Sequence, residues 1–80
     1  ITHKEPIVYK AIVEGKDPTQ VASETKHSQK AVDDYLTKFH KVQILYRIEP
    51  DPAFISLVTT ISISVVKQYI NLIETYEIDT

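Results

Sequence analysis

The chain has 80 residues, with nine basic and eleven acidic side chains and a formal net charge of −2 at neutral pH. This length indicates one small domain, and the single glycine and the lack of cysteine exclude a glycine-rich phosphate loop, a disulfide framework and a cysteine-based metal site. No apolar run approaches the roughly 20 residues of a membrane span, so a soluble, cytoplasmic domain is expected.

The first predicted helix runs from about Pro6 to Glu14. Proline suits an early helical position because its missing N–H has no partner there, and Gly15 favours a stop. Thr2 and Glu5 have the spacing of a capping box ahead of this helix.

Two further helices are predicted before residue 48. Asp17 and Pro18 supply an N-cap and a first position for a second helix that ends near Thr25. Ser28 then caps a third helix. No glycine or proline interrupts the chain from Ser28 to Ile48, and apolar residues keep a helical rhythm. One continuous central helix is therefore predicted, with a break near residues 40–41 as the alternative.

Prolines punctuate the start of the second half. Pro50 and Pro52 push the residues before them out of the helical region and so end the long helix. Asp51 and Pro52 repeat the cap-and-proline pair, which predicts a fourth helix that ends near Thr59.

The last segment carries two conflicting patterns. The stretch TTISISVVKQYI, residues 59–70, alternates hydroxyl and β-branched side chains at its start, as a strand does, and turns helical afterwards. A final helix capped by Ser62 and running to about Tyr76 is predicted. A short edge strand over residues 58–64 is the alternative.

An internal repeat favours the helix. A shift of 34 positions aligns residues 8–39 with residues 42–73 and gives seven identities, where chance gives roughly two. The identical pairs are Val8/Val42, Asp17/Asp51, Pro18/Pro52, Thr25/Thr59, Ser28/Ser62, Val32/Val66 and Tyr35/Tyr69. The sequence therefore predicts an all-α fold of two tandem three-helix units, residues 1–40 and 41–80.

The spacing within each copy matches a helix-turn-helix. In that motif one helix crosses the DNA backbone and the next enters the major groove. Close crossing needs small or aliphatic residues on the first of these helices, a short polar turn, and an aliphatic anchor on the second. The first copy supplies Val21 and Ala22, the turn at residues 25–28, and Val32.

The stretch DPTQVASETKHSQKAVDDYL resembles helix-turn-helices of sigma-factor and transposase/resolvase type. Over residues 3–76 the chain also resembles an uncharacterised prokaryotic family of tandem helix-turn-helix proteins, through a T-x-H-S-x-x-A-V-x-x-Y-L-x-x-F motif. Its positions here are Thr25, His27, Ser28, Ala31, Val32, Tyr35, Leu36 and Phe39. The resemblance implies the fold and no particular activity.

The turn departs from the usual pattern of the motif. Its customary glycine is Lys26 in the first copy and Thr60 in the second. A positive φ costs a non-glycine residue about 1 kcal/mol, so a different turn conformation is expected.

Candidate DNA contacts lie in the first turn and on the outer face of the third helix. Gln29 could pair with adenine, Lys30 with guanine and Asp33 with the cytosine amino group. Lys26, His27 and Lys38 would contact phosphates. The full predicted set is Lys26, His27, Ser28, Gln29, Lys30, Asp33, Thr37 and Lys38. A solvated face is the alternative, which the adjacent aspartates at positions 33 and 34 favour.

The second copy predicts weaker DNA contacts and a packing role. Its outer face offers Ser64, Lys67, Gln68 and Asn71, of which one is charged. Four further apolar residues exceed what a small core needs and predict a contact with a second copy or a missing domain. They are Ile61, Ile63, Leu72 and Tyr76.

The most specific functional hypothesis is a DNA-binding helix-turn-helix module of a transcriptional regulator or mobile-element protein, with double-stranded DNA as partner. The alternative is a protein-interaction or dimerisation module with the same fold and no DNA contact. The three histidines lack metal-like spacing and no nucleophile–base set is present, so no cofactor, metal or enzymatic activity is expected.

Overall fold

The computed structural model describes residues 4–78, and every regular element in that range is helical. The elements are α1 (Lys4–Val8), a π-helix that continues it (Tyr9–Val13), α2 (Pro18–Thr25), α3 (Gln29–Ile48), α4 (Pro52–Thr59) and α5 (Ile63–Thr75). The all-α prediction is confirmed. The edge-strand alternative is wrong, because residues 58–59 end α4 and residues 63–64 begin α5.

The chain forms two compact units, unit 1 (Ile1–Thr37) and unit 2 (Lys38–Thr80). The prediction of one continuous central helix is confirmed, since α3 runs unbroken from Gln29 to Ile48. A break near residues 40–41 is therefore wrong. The helix continues because the segment contains no glycine or proline that would interrupt its backbone hydrogen bonds.

The first helix begins earlier than predicted. It starts at Lys4, so Pro6 is its third residue and not its first. Proline is tolerated there because N–H groups of a first turn have no intrahelical acceptor. The predicted capping box involves Thr2, which lies outside the described residues. The π-helix ends at Val13, and Gly15 adopts φ +70, so the predicted stop at glycine is confirmed.

The starts of α2 and α4 are built alike. Asp17 accepts a hydrogen bond from the Thr19 N–H at 2.8 Å, and Asp51 accepts one from the Ala53 N–H at 3.0 Å. In both helices a proline follows the cap. Each aspartate satisfies a donor that would otherwise lack an acceptor, which confirms both predicted caps.

The ends of α2 and α4 also repeat. Lys26 adopts φ 59 and Thr60 adopts φ 62, both left-handed. The expectation of a different turn conformation is therefore wrong. The left-handed residue lets the chain leave one helix and enter the next within three residues, and packing of the helices on both sides offsets the local strain.

The two units diverge at the start of their following helices. The Ser28 Oγ accepts the Ala31 N–H at 3.0 Å and caps α3, as predicted. Ser62 occupies the corresponding position before α5, but its side chain caps no backbone N–H and instead lies 3.4 Å from the Ser64 Oγ. The predicted position of this helix start is correct, whereas the predicted side-chain cap is wrong.

Each unit buries its own apolar cluster. In unit 1 the cluster consists of Ile7, Val21, Ala22, Val32 and Leu36, with Ala11, Ile12 and Tyr35 packed against it. Val8 is also fully buried. In unit 2 they are Phe39, Val42, Ile55, Val66, Tyr69, Ile70, Leu72, Ile73 and Ile78. The aligned pairs Val21/Ile55 and Val32/Val66 are fully buried, so the repeat in the sequence is a repeat of core positions.

Candidate nucleic-acid interface

The DNA contacts predicted for the first copy lie in the turn before α3 and along the first half of that helix, and all but Lys38 belong to unit 1. Seven of the eight predicted residues are exposed, and His27 is half-buried. The exposed ones are Lys26, Ser28, Gln29, Lys30, Asp33, Thr37 and Lys38. Residues 29, 33 and 37 recur at a spacing of four, so this face of α3 is polar and accessible.

Neighbouring side chains already engage two residues of this face. The Gln29 Oε1 accepts a hydrogen bond from the Thr19 hydroxyl at 3.4 Å, which leaves the amide N–H groups of Gln29 as donors. The Lys30 ammonium lies 3.2 Å from Asp34, one turn along, and is 85% exposed. An ion pair so open to solvent is weak and can be exchanged for a phosphate contact.

His27 differs from the rest of the set. Its ring packs edge-on against Tyr35, with the centroids 6.1 Å apart. The Lys4 ammonium lies 5.8 Å from the centroid of the same Tyr35 ring. This packing favours a structural role for His27 over a phosphate contact.

A charge cluster between the first helical segment and α2 was missed from the sequence. Glu24 receives hydrogen bonds of 2.9 Å from Lys10, Lys16 and Gln20. These donors, the Lys16 ammonium first, lower the pKa of Glu24 to about 2. Glu24 in turn raises the pKa of Lys16 above its ordinary value. Both lysines are thereby engaged within the protein.

The corresponding helix of unit 2 is less polar. Ser64, Lys67 and Asn71 are exposed on α5, as predicted. Gln68 is half-buried, and no hydrogen bond within residues 4–78 reaches its buried Oε1. Lys67 is the one cation among these four residues, whereas the predicted set on the first copy has three lysines.

Of the four residues predicted to contact another chain, one is buried in the core. Leu72 is only 5% exposed and belongs to the unit 2 core. Its burial follows from helical spacing, because it lies three residues after Tyr69 on the inner face of α5. Ile61 and Tyr76 are half-buried, and Ile63 is exposed.

A larger apolar surface, also missed from the sequence, lies on unit 2. We use the name α3–α4 groove for the exposed apolar side chains of the two helices, Ile44, Ile48, Phe54, Leu57 and Val58, together with the cavity that Ile44 and Val58 line. A shallow cavity of about 280 Å³ opens between the two helices, lined by Lys41, Ile44, Leu45, Val58 and Thr59. The four-residue spacing of Ile44 and Ile48 was a signal for it, but the same spacing is typical of a core stripe.

Two kinds of site receive no support from the described residues. Within residues 4–78, no three His, Asp or Glu side chains form a group that could hold a metal ion. In the same range no single helix has the length and apolar character to cross a bilayer. Only α4 and α5 taken together reach that length and apolar character, and the chain bends by 119° between them.

The fold and these surfaces define an all-α protein of two sequence-related helical units. The chain belongs to the family described as "Protein of unknown function (DUF1670)", which matches residues 1–72. No curated protein and no solved structure matches the chain. Membership of an uncharacterised family is therefore established.

Proposed function

We propose that the chain is a DNA-binding helix-turn-helix module of a transcriptional regulator or mobile-element protein, and that unit 1 makes the base contacts. The proposal rests on the repeated arrangement of aspartate cap, short helix, left-handed residue and following helix. In unit 2 the direction of the chain changes by 119° between α4 and α5 across three residues. Helix-turn-helix motifs cross at about 90–120° through turns of this length.

In unit 1 the corresponding helix, α2, ends at Thr25 and α3 begins at Gln29, each 34 residues before its counterpart in unit 2. The turn of unit 1 and the first half of α3 present Lys26, Lys30 and Gln29 to solvent. We assign Lys26 and Lys30 to phosphates, in place of the guanine contact that the sequence suggested for Lys30, whereas the glutamine amide can pair with the edge of adenine. Asp33 would accept from a cytosine amino group and repel phosphates, so it contributes to sequence preference at a cost in affinity.

The test is a fluorescence anisotropy titration of a labelled duplex of random sequence at several salt concentrations. Two phosphate contacts, from Lys26 and Lys30, give a slope of log K against log salt of about −1.8, which is about a tenfold loss of affinity between 50 and 200 mM salt. The substitutions Lys26→Asn and Lys30→Gln should each flatten that slope by about one. Asparagine tolerates the left-handed conformation at position 26, so the turn is kept.

Lys67→Gln is the matched comparison in unit 2, because Lys67 is an exposed lysine on the corresponding helix. It should leave the slope unchanged if unit 1 makes the contact. Lack of binding at 50 mM salt would contradict the proposal, since phosphate attraction is generic for helix-turn-helix proteins. An effect of Lys67→Gln as large as that of Lys30→Gln would contradict the assignment to unit 1.

A protein-interaction module without DNA contact is the second candidate. The observation that favours it is the exposed apolar surface of unit 2, together with the slight excess of acidic over basic side chains. Failure of the duplex titration, combined with self-association or partner binding through unit 2, would favour this function.

A further inference from the structure

The α3–α4 groove carries an inference that does not depend on DNA binding. Leu57 is 80% exposed, Ile44 is 58% exposed and Val58 is 52% exposed. Ile48 lies one turn after Ile44 on α3, and Phe54 lies one turn before Val58 on α4, so the apolar surface follows both helices. Several exposed apolar side chains on two neighbouring helices of a small protein are typical of an interaction site.

Unit 1 provides an internal comparison for this surface. At the corresponding positions, 34 residues earlier, every groove residue is polar or charged. The pairs are Lys10/Ile44, Glu14/Ile48, Gln20/Phe54, Ser23/Leu57 and Glu24/Val58. Where unit 1 joins Lys10 to Glu24 by an ion pair of 2.9 Å, unit 2 has Ile44 and Val58 lining an open cavity. The fold therefore does not require apolar residues here.

Charges at the two ends of the groove indicate what covers it. Lys41 lines the cavity at one end, whereas Glu49 and Asp51 are exposed beyond the end of α3 at the other. Lys41 and Glu49 are eight positions apart, which at the rise of an α-helix corresponds to about 12 Å. That exceeds the screening length of about 8 Å at physiological salt, so these charges do not neutralise each other within one chain. Arg47, the other base nearby, has a partner within the chain.

We propose that the α3–α4 groove is the interface of a two-fold symmetric dimer, with a second copy of this chain as its occupant. A two-fold interface brings the same surface of both copies together, so residue i of one contacts residue j of the other and the reverse. An antiparallel arrangement places the Lys41 end of each groove against the Glu49 and Asp51 end of its counterpart. The apolar residues then cover one another in the centre.

The number of side chains involved indicates a weak dimer. Five side chains per copy are fewer than the roughly 20–30 residues per side of a standard stable interface. Dissociation at micromolar chain concentrations, on the order of 10–100 µM, is therefore expected.

Sedimentation equilibrium of the 80-residue chain, without DNA, tests the proposal over about 10 to 500 µM chain. The double substitution Ile44→Lys with Val58→Glu installs the ion pair that unit 1 carries at these positions. It should keep the helical circular dichroism and weaken the dimer at least about tenfold. Ile63→Gln is the matched control, because it removes an exposed apolar residue of unit 2 outside the groove and should leave the dimer constant unchanged.

A charge exchange tests the antiparallel arrangement with exposed residues whose substitution does not disturb the core. Lys41→Glu and Glu49→Lys should each weaken the dimer, since either places like charges together across the interface. The double variant should restore dimerisation. A mixture of the two single variants should form a heterodimer, because each then presents the complement of the other.

The proposal would be overturned by a chain that stays monomeric throughout this range, or by a dimer that the Ile44→Lys, Val58→Glu variant leaves intact. A dimer lost on Ile63→Gln alone would assign the contact to the surface around Ile61 and Ile63. Co-flotation of the wild-type chain with anionic phosphatidylserine vesicles, lost in the groove variant and accompanied by monomeric sedimentation, would assign the groove to a lipid surface.

Discussion

Unit 1 and unit 2 use one tyrosine position in different ways. Tyr35 is half-buried in unit 1, where Lys4 lies over its ring. Its counterpart in unit 2, Tyr69, is fully buried and packs edge-on against Phe39 at 5.9 Å between centroids. The repeat therefore preserves the aspartate caps and the left-handed turn residues, whereas the serine cap, the depth of each core and the chemistry of each surface have diverged.

The largest expected difference between the units is in how much stability each of these tyrosines contributes. Tyr69→Ala should lower the free energy of unfolding by about 3–5 kcal/mol, because it removes a fully buried aromatic ring and leaves a cavity. Tyr35→Ala should cost about 1–2 kcal/mol, since part of its ring is already in water. Urea unfolding followed by circular dichroism measures both values.

Tyr69→Phe is the control that separates the ring from the hydroxyl, and it should retain most of the stability. Equal losses for the two alanine variants would show that the half-buried ring of Tyr35 contributes as much as the buried one. That result would contradict the difference in core depth between the two units.

The next effect tests the serines that precede α3 and α5. Ser28→Ala should cost about 1 kcal/mol, because the Ala31 N–H loses its acceptor. Ser62→Ala should change stability by no more than a few tenths of a kcal/mol, since its hydroxyl caps no backbone group. Thermal unfolding of both variants at one protein concentration provides the comparison. A larger loss at Ser62 than at Ser28 would contradict the difference in capping.

Most of the fold was predictable because short-range signals and the repeat agreed. Asp17 and Asp51 each precede a proline, and that local pattern fixes a helix start almost without tertiary help. After Thr59 the side chains alternate as in a strand, but the aligned segment of the first copy is a clear helix former, so the repeat predicts a helix. Here packing on Val66 and Ile70 outweighs the weak helix propensity of β-branched residues.

The surfaces were less predictable because they depend on which helices lie side by side. Glu24 meets Lys10 and Lys16 across separate segments, and no spacing within one helix announces such a cluster. Ile44 and Ile48 have the period of a core stripe, yet they are exposed because Phe39 and Val42 occupy the inner face of α3. Helical periodicity locates a stripe, but it does not say whether a partner covers it.

A smaller effect is expected at the left-handed turn residues. Thr60→Gly relieves the strain of a β-branched residue at φ 62. Lys26→Gly relieves less, because an unbranched side chain tolerates this region better. Glycine also adds entropy to the unfolded chain, which offsets part of the relief. The free energy of unfolding should therefore rise by about 0.5–1 kcal/mol for Thr60→Gly and by about 0–0.5 kcal/mol for Lys26→Gly. Urea unfolding checks the order, and a loss at Thr60 larger than at Lys26 would contradict it.

The smallest expected difference between the units is in how their stability depends on pH. Glu24 can titrate in unit 1, whereas Val58, at the corresponding position of unit 2, cannot. Folding lowers the pKa of Glu24 from 4.5 to about 2, chiefly through the hydrogen bonds from Lys16 and Lys10. A lowered folded-state pKa means stability that is fully present above pH 4.5 and is lost as the pH falls towards 2. The stability difference between the wild-type chain and Glu24→Gln should therefore be constant near neutral pH and shrink through this acidic window.

Urea unfolding of both chains at pH 7, 5, 4 and 3 measures that difference. High salt should reduce it at every pH, because the side chains of the cluster remain about 30% exposed. Glu14→Gln is the matched control, since Glu14 approaches Lys16 at 3.4 Å but receives no bond from Lys10 or Gln20, and its effect should be smaller. A Glu24→Gln difference of equal size at pH 7 and pH 3 would mean that the ionised carboxylate of Glu24 contributes nothing to the stability of unit 1.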